Sequence, residues 1–283
     1  MAIKKLATMG MAFCCSSSIS NWEERIQKAY GLKKYTWRDL FHPVIFFGMY
    51  NPIDYIKLLL HQGEKTIIWC GSDILQTGWF FKILRKIPAQ HICESSIEWG
   101  ILSLMLLNKD IIQQPLFFGS VKEYPLSFIP SKTPHVFLHM NNNAETESGF
   151  YILCRVASHV PEITFHIYGK MKERRKIKNI IYHGHVPEEQ FNEEIKTMQG
   201  ALRLHGFDGF ADTVAKSVLL GQYPITRISF PQIDTYKDEK DLIYLLRELK
   251  YKTTPNYKAR RYYLKLWNTT HGFILNAGKS CAK

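Results

Sequence analysis

A chain of 283 residues with 46% hydrophobic content can fill one large core or two moderate ones, and a charged share of 22% excludes a disordered chain. The formal net charge of +12 suits an anionic partner, whether a nucleotide, a polyanion or an anionic membrane surface. No run of about twenty apolar residues is present, which excludes a simple spanning helix. The cysteines Cys14, Cys15, Cys70, Cys93, Cys154 and Cys281 show no C-x-x-C spacing. They read as reduced thiols of a cytoplasmic protein.

The chain begins with Lys4-Lys5, an apolar stretch to Cys15 and three serines, the outline of a signal peptide. Thr8 and Gly10 weaken the apolar part, and Phe13 stands where a cleavage site needs a small residue. The expected first element is therefore ragged or peripheral. Residues 21–30 predict a helix stopped by Gly31, and residues 43–50 (PVIFFGMY) a buried strand. Asn51-Pro52 should start a helix ending near Gly63. Residues 65–70 form the next strand and open into Gly71-Ser72-Asp73.

Residues 79–87 (WFFKILRKI) look helical and basic on one side. That face could lie on an anionic membrane, although a solvated basic face over buried aromatics serves as well. A strand at 91–93 runs into Glu94-Ser95-Ser96, an apolar helix follows over 97–107, and residues 115–118 predict another strand. Pro125, Pro130 and Pro134 mark a linker between two domains.

From residue 135 onward strands and helices alternate without a break. Strands are expected at 135–140, 163–168, 179–183, 201–204 and 223–226. Helices are expected from Gly149 to about Val160, over 187–198, from Asp212, over 238–250, and in a basic aromatic tail over 257–267. This alternation argues for a parallel sheet with helices on both faces. In such sheets ligands sit beyond the carboxyl ends of the strands. Three strand ends carry polar chemistry: Gly71-Ser72-Asp73, the 141–148 loop, and residues 205–213.

The last of these is the most informative. A strand feeding a glycine turn and a polar helix start offers free N–H groups and a partial positive charge to a phosphate. The alternative is a plain Asp208-Gly209 turn, with Asp212 capping its helix and pairing with Lys216. His183 and His185 sit two apart at a strand end. Without a carboxylate or cysteine partner they read as surface or packing residues, not as a metal site.

Several stretches together carry a resemblance. Residues 165–169, 179–186 (NIIYHGHV) and 203–225, closing on Gly221-Gln222-Tyr223-Pro224-Ile225, resemble the C-terminal domain of GT-B "group 1" glycosyltransferases. Trp69-Cys70-Gly71-Ser72-Asp73 and His91-Ile92-Cys93-Glu94-Ser95 resemble loops of that family's other lobe. The resemblance covers most of residues 43–250. It implies an α/β protein of two Rossmann-like lobes with parallel sheets facing across a cleft. The expected division is an N-terminal acceptor-side lobe over 1–130, shortened for the family, and a nucleotide-sugar lobe over 131–250. A basic helix and tail over 251–283 is a candidate to cross back to the first lobe.

The resemblance further implies a metal-independent hexosyltransferase of glycan or glycolipid synthesis. It would use a nucleotide-diphosphate sugar as donor and no other cofactor. The acceptor is expected to be a glycan or lipid-linked hydroxyl, with peripheral contact to an anionic membrane and no specific nucleic acid. The donor is expected near Gly169, Arg203, His205, Asp208, Gly209, Phe210, Thr213 and Lys216. The acceptor is expected near Gly48, Ser72, Asp73 and Ser95, with Asp208 and Asp73 as catalytic candidates. One departure stands out. Where the family carries a second acid eight positions after the turn acid, this chain has Lys216. Two readings follow: Lys216 and Arg203 supply the charge for the donor diphosphate, or donor binding has decayed. A non-catalytic sugar- or polyanion-binding protein and a nucleotide-sugar epimerase on the same scaffold are the alternatives.

Overall fold

The computed structural model describes residues 11–107, 110–140, 149–172 and 174–276, with side chains as far as residue 268. The 141–148 loop therefore lies outside the described residues. The chain divides into two units. The first comprises Met1–Ser120, Phe207–Phe210 and Leu266–Lys283, and the second Val121–Gly206 and Ala211–Lys265.

The first unit is built on a six-stranded sheet in the order β2-β1-β3-β4-β5-β6. Its strands are β1 (Ala12–Cys15), β2 (Lys33–Lys34), β3 (Val44–Phe47), β4 (Lys65–Ile68), β5 (Gln90–Cys93) and β6 (Ile111–Gln113). Every pairing is parallel. The helices are α1 (Glu23–Tyr30), α2 (Pro52–Leu60) and α3 (Ser96–Leu106), with short helical turns at Asp73–Gln76 and Phe81–Leu84.

From β3 to β6 the chain steps one way across the sheet, and right-handed crossovers put α2, the short turns and α3 side by side on one face. The step from β1 to β2 runs the other way and puts α1 on the opposite face. The cores agree. Tyr55, Leu58, Phe81, Leu84, Leu102 and Leu106 pack on Val44, Phe46, Ile67 and Trp69. Ile26, Tyr30, Leu116 and Phe118 pack on Phe13, Ile45, Phe47 and Ile68.

Local sequence explains the helix starts. Asn51 and Asp54 form a capping box before Pro52, and Ser95 with Glu98 forms another. Gly31 ends α1 in the left-handed conformation.

Three expectations are corrected. Residues 12–15 are not a ragged or peripheral element but an inner strand, paired with β2 on one side and β3 on the other. The 79–87 helix is broken into a 3-10 turn at Gly78–Phe80 and a single α-turn at Phe81–Leu84. Residues 115–118 are not a strand, because Pro115 has no N–H and the Leu116 N–H donates to the Glu94 carboxylate at 3.0 Å. The edge strand lies just before, at Ile111–Gln113.

The second unit carries another all-parallel sheet of six strands, in the order β12-β11-β10-β7-β8-β9. They are β7 (His135–His139), β8 (Thr164–Tyr168), β9 (Ile180–Gly184), β10 (Gly200–Arg203), β11 (Ile225–Thr226) and β12 (Asp234–Thr235). The helices are α4 (Phe150–His159), α5 (Glu188–Ile195), α6 (Asp212–Leu219) and α7 (Glu239–Glu248), and α8 (Tyr257–Asn276) starts in this unit and belongs to the first from Leu266 onward. The strand order reverses between β7 and β10, the position at which doubly wound sheets hold ligands.

Candidate functional site

In the second unit the carboxyl ends of β7, β8, β9 and β10 gather the polar groups. His139 ends β7 and Arg203 ends β10. Gly169, with φ +104°, follows β8, and its N–H donates to the Gly184 carbonyl at the end of β9 at 2.8 Å. Burial pushes His139 down to about 4, and Arg203 and His185 add repulsion. His139, Arg203 and His185 therefore share one electrostatic neighbourhood. His205 follows directly in the segment after β10. The sequence reading missed Arg227, just beyond β11. A methyl group on Gly206 would stand 3.2 Å from its Nη1, so this guanidinium lies against the turn after β10. A cation one residue past a two-residue strand has no local pattern to flag it.

Thr213 lies in the first turn of α6. Its hydroxyl is buried and finds no hydrogen-bond partner among the described residues. A buried hydroxyl without a partner is costly unless a ligand or water meets it.

Lys216 is placed differently from the expectation that it faces a diphosphate. Its side chain is 3% exposed, and its Nζ lies 3.0 Å from Glu188 and 3.0 Å from Asp212. The rings of Phe191 and Tyr124 flank it at 5.2 and 5.5 Å. Two carboxylates already neutralise this ammonium. The Asp212–Lys216 pair forms as the spacing suggests, but Asp212 is the first helical residue and Ala211 occupies the cap position.

Beneath α5, three histidines from adjacent strands join in a line. His135 Nδ1 lies 2.8 Å from His166 Nε2, and His166 Nδ1 lies 2.9 Å from His183 Nε2. His183 Nδ1 is 3.3 Å from Glu194 Oε2, so His183 does have a carboxylate neighbour. Glu194 fixes the direction of the line: each Nδ1–H donates toward it. Among the described residues, no three His, Cys, Asp or Glu side chains converge as a metal site.

The turn Phe207–Phe210 belongs to the first unit. Glu94 holds it: one carboxylate oxygen accepts from the Phe210 N–H at 3.1 Å, and the other from Leu116. A side chain on Gly209 would stand 2.3 Å from Glu94 Oε2, so only glycine fits. Asp208 accepts from the Gly209 N–H at 3.0 Å and lies beside Gly71, which has φ +84°. Phe210 packs edge-on against Trp267, whose Nε1 donates to the Pro115 carbonyl.

Asp73 is fully buried, and its two oxygens accept from the N–H groups of Met49 and Cys70. That geometry fixes the turns after β3 and β4 and leaves no face for a substrate. Gly48 has φ +73°, Ser72 is exposed at the turn, and Ser95 is buried in its capping box. Burial pushes Asp73 up to about 7. It pushes Glu98 up to about 7 as well, with Asp208 adding repulsion. Glu94 is raised by burial and by Glu98. Asp208 is the half-exposed carboxylate of this group.

No protein-family model matches the sequence, and no curated protein matches it either. Solved structures do match. TarM from S. aureus, in a structure holding UDP, aligns with a TM-score of 0.65 at 12% identity over 92% of this chain. HepE from Anabaena, in a structure with UDP and glucose, aligns with a TM-score of 0.63 at 10% identity, covering 94% of this chain and 98% of its own. The lipopolysaccharide outer core galactosyltransferase WaaB gives 0.61 at 13% identity, also over 94% and 98%. The chain has the GT-B glycosyltransferase fold. It spans 59% of the TarM chain but nearly all of HepE and WaaB. At the β7–β10 switch point, Thr213 carries a buried hydroxyl without a partner among the described residues. No described helix is long and apolar enough to cross a membrane.

Proposed function

We propose that the chain transfers a sugar from a nucleotide-diphosphate sugar to an acceptor hydroxyl. The observation that carries this reading is Thr213: a buried hydroxyl without a partner among the described residues, at the helix start beside the β7–β10 switch point. The fold supports it, and so do the UDP ligands named for TarM and HepE.

On this reading the first turn of α6, Thr213, Arg203 and Arg227 meet the donor diphosphate and stabilise it as it leaves. Gly169 lets the nucleotide approach the end of β8. Lys216 acts indirectly, holding Asp212 and Glu188 in place. In the first unit Asp208 is the proposed catalytic carboxylate, because it is partly exposed where Asp73 is sealed, and Gly48 and Ser72 are the proposed acceptor contacts. The charge on the leaving group is met here by protein cations and helix N–H groups, without a metal. A lipid-linked or glycan hydroxyl is the proposed acceptor, placing the chain in glycan or glycolipid synthesis.

A panel of nucleotide-sugars is the test. One of them should raise the melting temperature, and nucleotide should be released when that donor is turned over. Stabilisation without release would favour a non-catalytic sugar-binding protein, the reading that the neutralised Lys216 favours. No stabilisation by any donor would contradict both.

A further inference from the structure

We propose that His135, His166, His183 and Glu194 form a one-proton switch: the line binds a single added proton that all three rings share, and its direction reverses when that proton is bound. The proposal does not depend on the transfer reaction.

Register builds the line. Phe137 of β7 and Ile181 of β9 lie level with His166 of β8. His135 is therefore one pleat behind His166 and His183 one pleat ahead, all on the same face of the sheet. α5 covers that face, where its Phe191 packs edge-on against Phe137 and Tyr168. His166 is buried, while His135 and His183 are partly exposed, so protons from solvent reach both ends of the line.

Counting protons gives the capacity. Each His–His contact, at 2.8 and 2.9 Å, accommodates one N–H and one lone pair. The two outer nitrogens, His135 Nε2 and His183 Nδ1, hold at most one proton each. The line thus holds four protons, and three neutral imidazoles bring three. One further proton fits with no contact broken. It binds at His135 Nε2, and the His135 Nδ1–H bond breaks as a new N–H bond forms at His166 Nε2. The same exchange passes the His166 Nδ1 proton to His183 Nε2. His183 then carries the charge beside the Glu194 carboxylate, 3.3 Å away, and both His–His hydrogen bonds run the other way. A fifth proton would set N–H against N–H.

The surrounding groups suit one charge at the Glu194 end. Burial, then repulsion by His135 and His183, pushes His166 down to about 4, and Glu194 opposes that shift. Glu194 itself is held below the usual carboxylate range. Partial burial works against this, but hydrogen bonds from Tyr168 and Gln190 and the charges of His183 and His166 outweigh it, so Glu194 remains the anion. Farther along β7, His139 responds to Arg203, His185, Asp212 and Lys216 instead. The folded line takes up one proton where the unfolded chain takes up three, so the second unit still loses stability in acid.

The test is two-bond proton–nitrogen correlation NMR of the full chain with isotope-labelled histidine, which reads the protonated nitrogens of each ring through a pH titration. On acidification His183 should gain its second N–H while His135 and His166 pass from Nδ1–H to Nε2–H, all at one midpoint. Glu194→Gln should lower that midpoint by at least about one pH unit. His166→Phe should abolish the tautomer change at His135 and leave His135 and His183 with separate midpoints. Three separate midpoints in the wild-type chain, unchanged tautomers at His135 and His166, or an unmoved midpoint in Glu194→Gln would overturn the proposal.

Discussion

Lys216 shows how far one residue's environment can depart from its position in a motif. Its Nζ is held by Glu188 from α5 and by Asp212 from its own helix. Lys216→Ala should therefore destabilise the chain by about 2–3 kcal/mol. That is less than for a sealed ion pair, because Glu188 is half-exposed and water can reach it. Lys216→Met keeps the stem between Phe191 and Tyr124 and should cost less; thermal melts of the two variants make the comparison. Equal losses would show that charge, not packing of the stem, holds this position. Gly209 makes a second case. Adding a methyl drives against a Glu94 carboxylate fixed by two backbone N–H groups, and Gly209→Ala should cost about 1–3 kcal/mol. Gly100 lies inside α3 with open space around it, and Gly100→Ala should stabilise by about 0.5–1 kcal/mol. Denaturant melts of the pair would contradict the Glu94 clamp if both moved the same way. Of these contacts only the Asp212–Lys216 pair was legible in the sequence. Glu188 lies 28 residues from Lys216, and Glu94 lies 116 residues from Phe210. Motif spacing reads only neighbours along one element.

At the scale of elements, the sequence was legible where local chemistry decides. Asn51-Pro52 and Gly31 mark helix ends that the structure keeps, because caps act within a single turn. The alternation after residue 135 reads directly as a parallel sheet, since strands buried on both faces must be continuously apolar. It failed where pairing decides. Ala12–Cys15 is an apolar run beside serines, and only its register with Val44–Phe47 makes it an inner strand. Lys33–Lys34, Ile225–Thr226 and Asp234–Thr235 are too short for any period to register. The 79–87 segment has helical composition, but Phe81, Leu84 and Ile87 turn inward and the helix breaks at the 3-10 turn. The histidine line across β7, β8 and β9 was missed for the same reason: its members lie on three strands and meet only through register.

For the whole molecule, the two units should respond to pH with opposite sign. His139 and His166 are pushed down to about 4, first by burial. The unfolded chain takes up their protons first, so the second unit loses stability as pH falls from about 6.5 toward 4. Asp73 and Glu98 are raised to about 7, again first by burial. The folded chain keeps protons that the unfolded chain has released, so the first unit is most stable below about pH 4 and loses stability as pH rises through 7. His61, also lowered by burial, opposes this trend in acid but not above neutrality. All six tryptophans fall in the first unit, so their fluorescence reports it alone. Between about pH 8 and pH 6 the tryptophan melt should move up on acidification, while amide-exchange protection in β8 and α5 should fall between about pH 6.5 and 5. Parallel movement of both reporters would contradict the reading that Asp73 and Glu98 set the first unit's response and His139 and His166 the second's. The central claim, a nucleotide held at the carboxyl ends of β7–β10 by Thr213, Arg203 and Arg227, is tested most directly by amide exchange with and without UDP. Protection is predicted at residues 168–170 and 203–216, and it should be lost in Thr213→Val without a change in melting temperature. Protection confined to other segments, or unchanged in Thr213→Val, would contradict it.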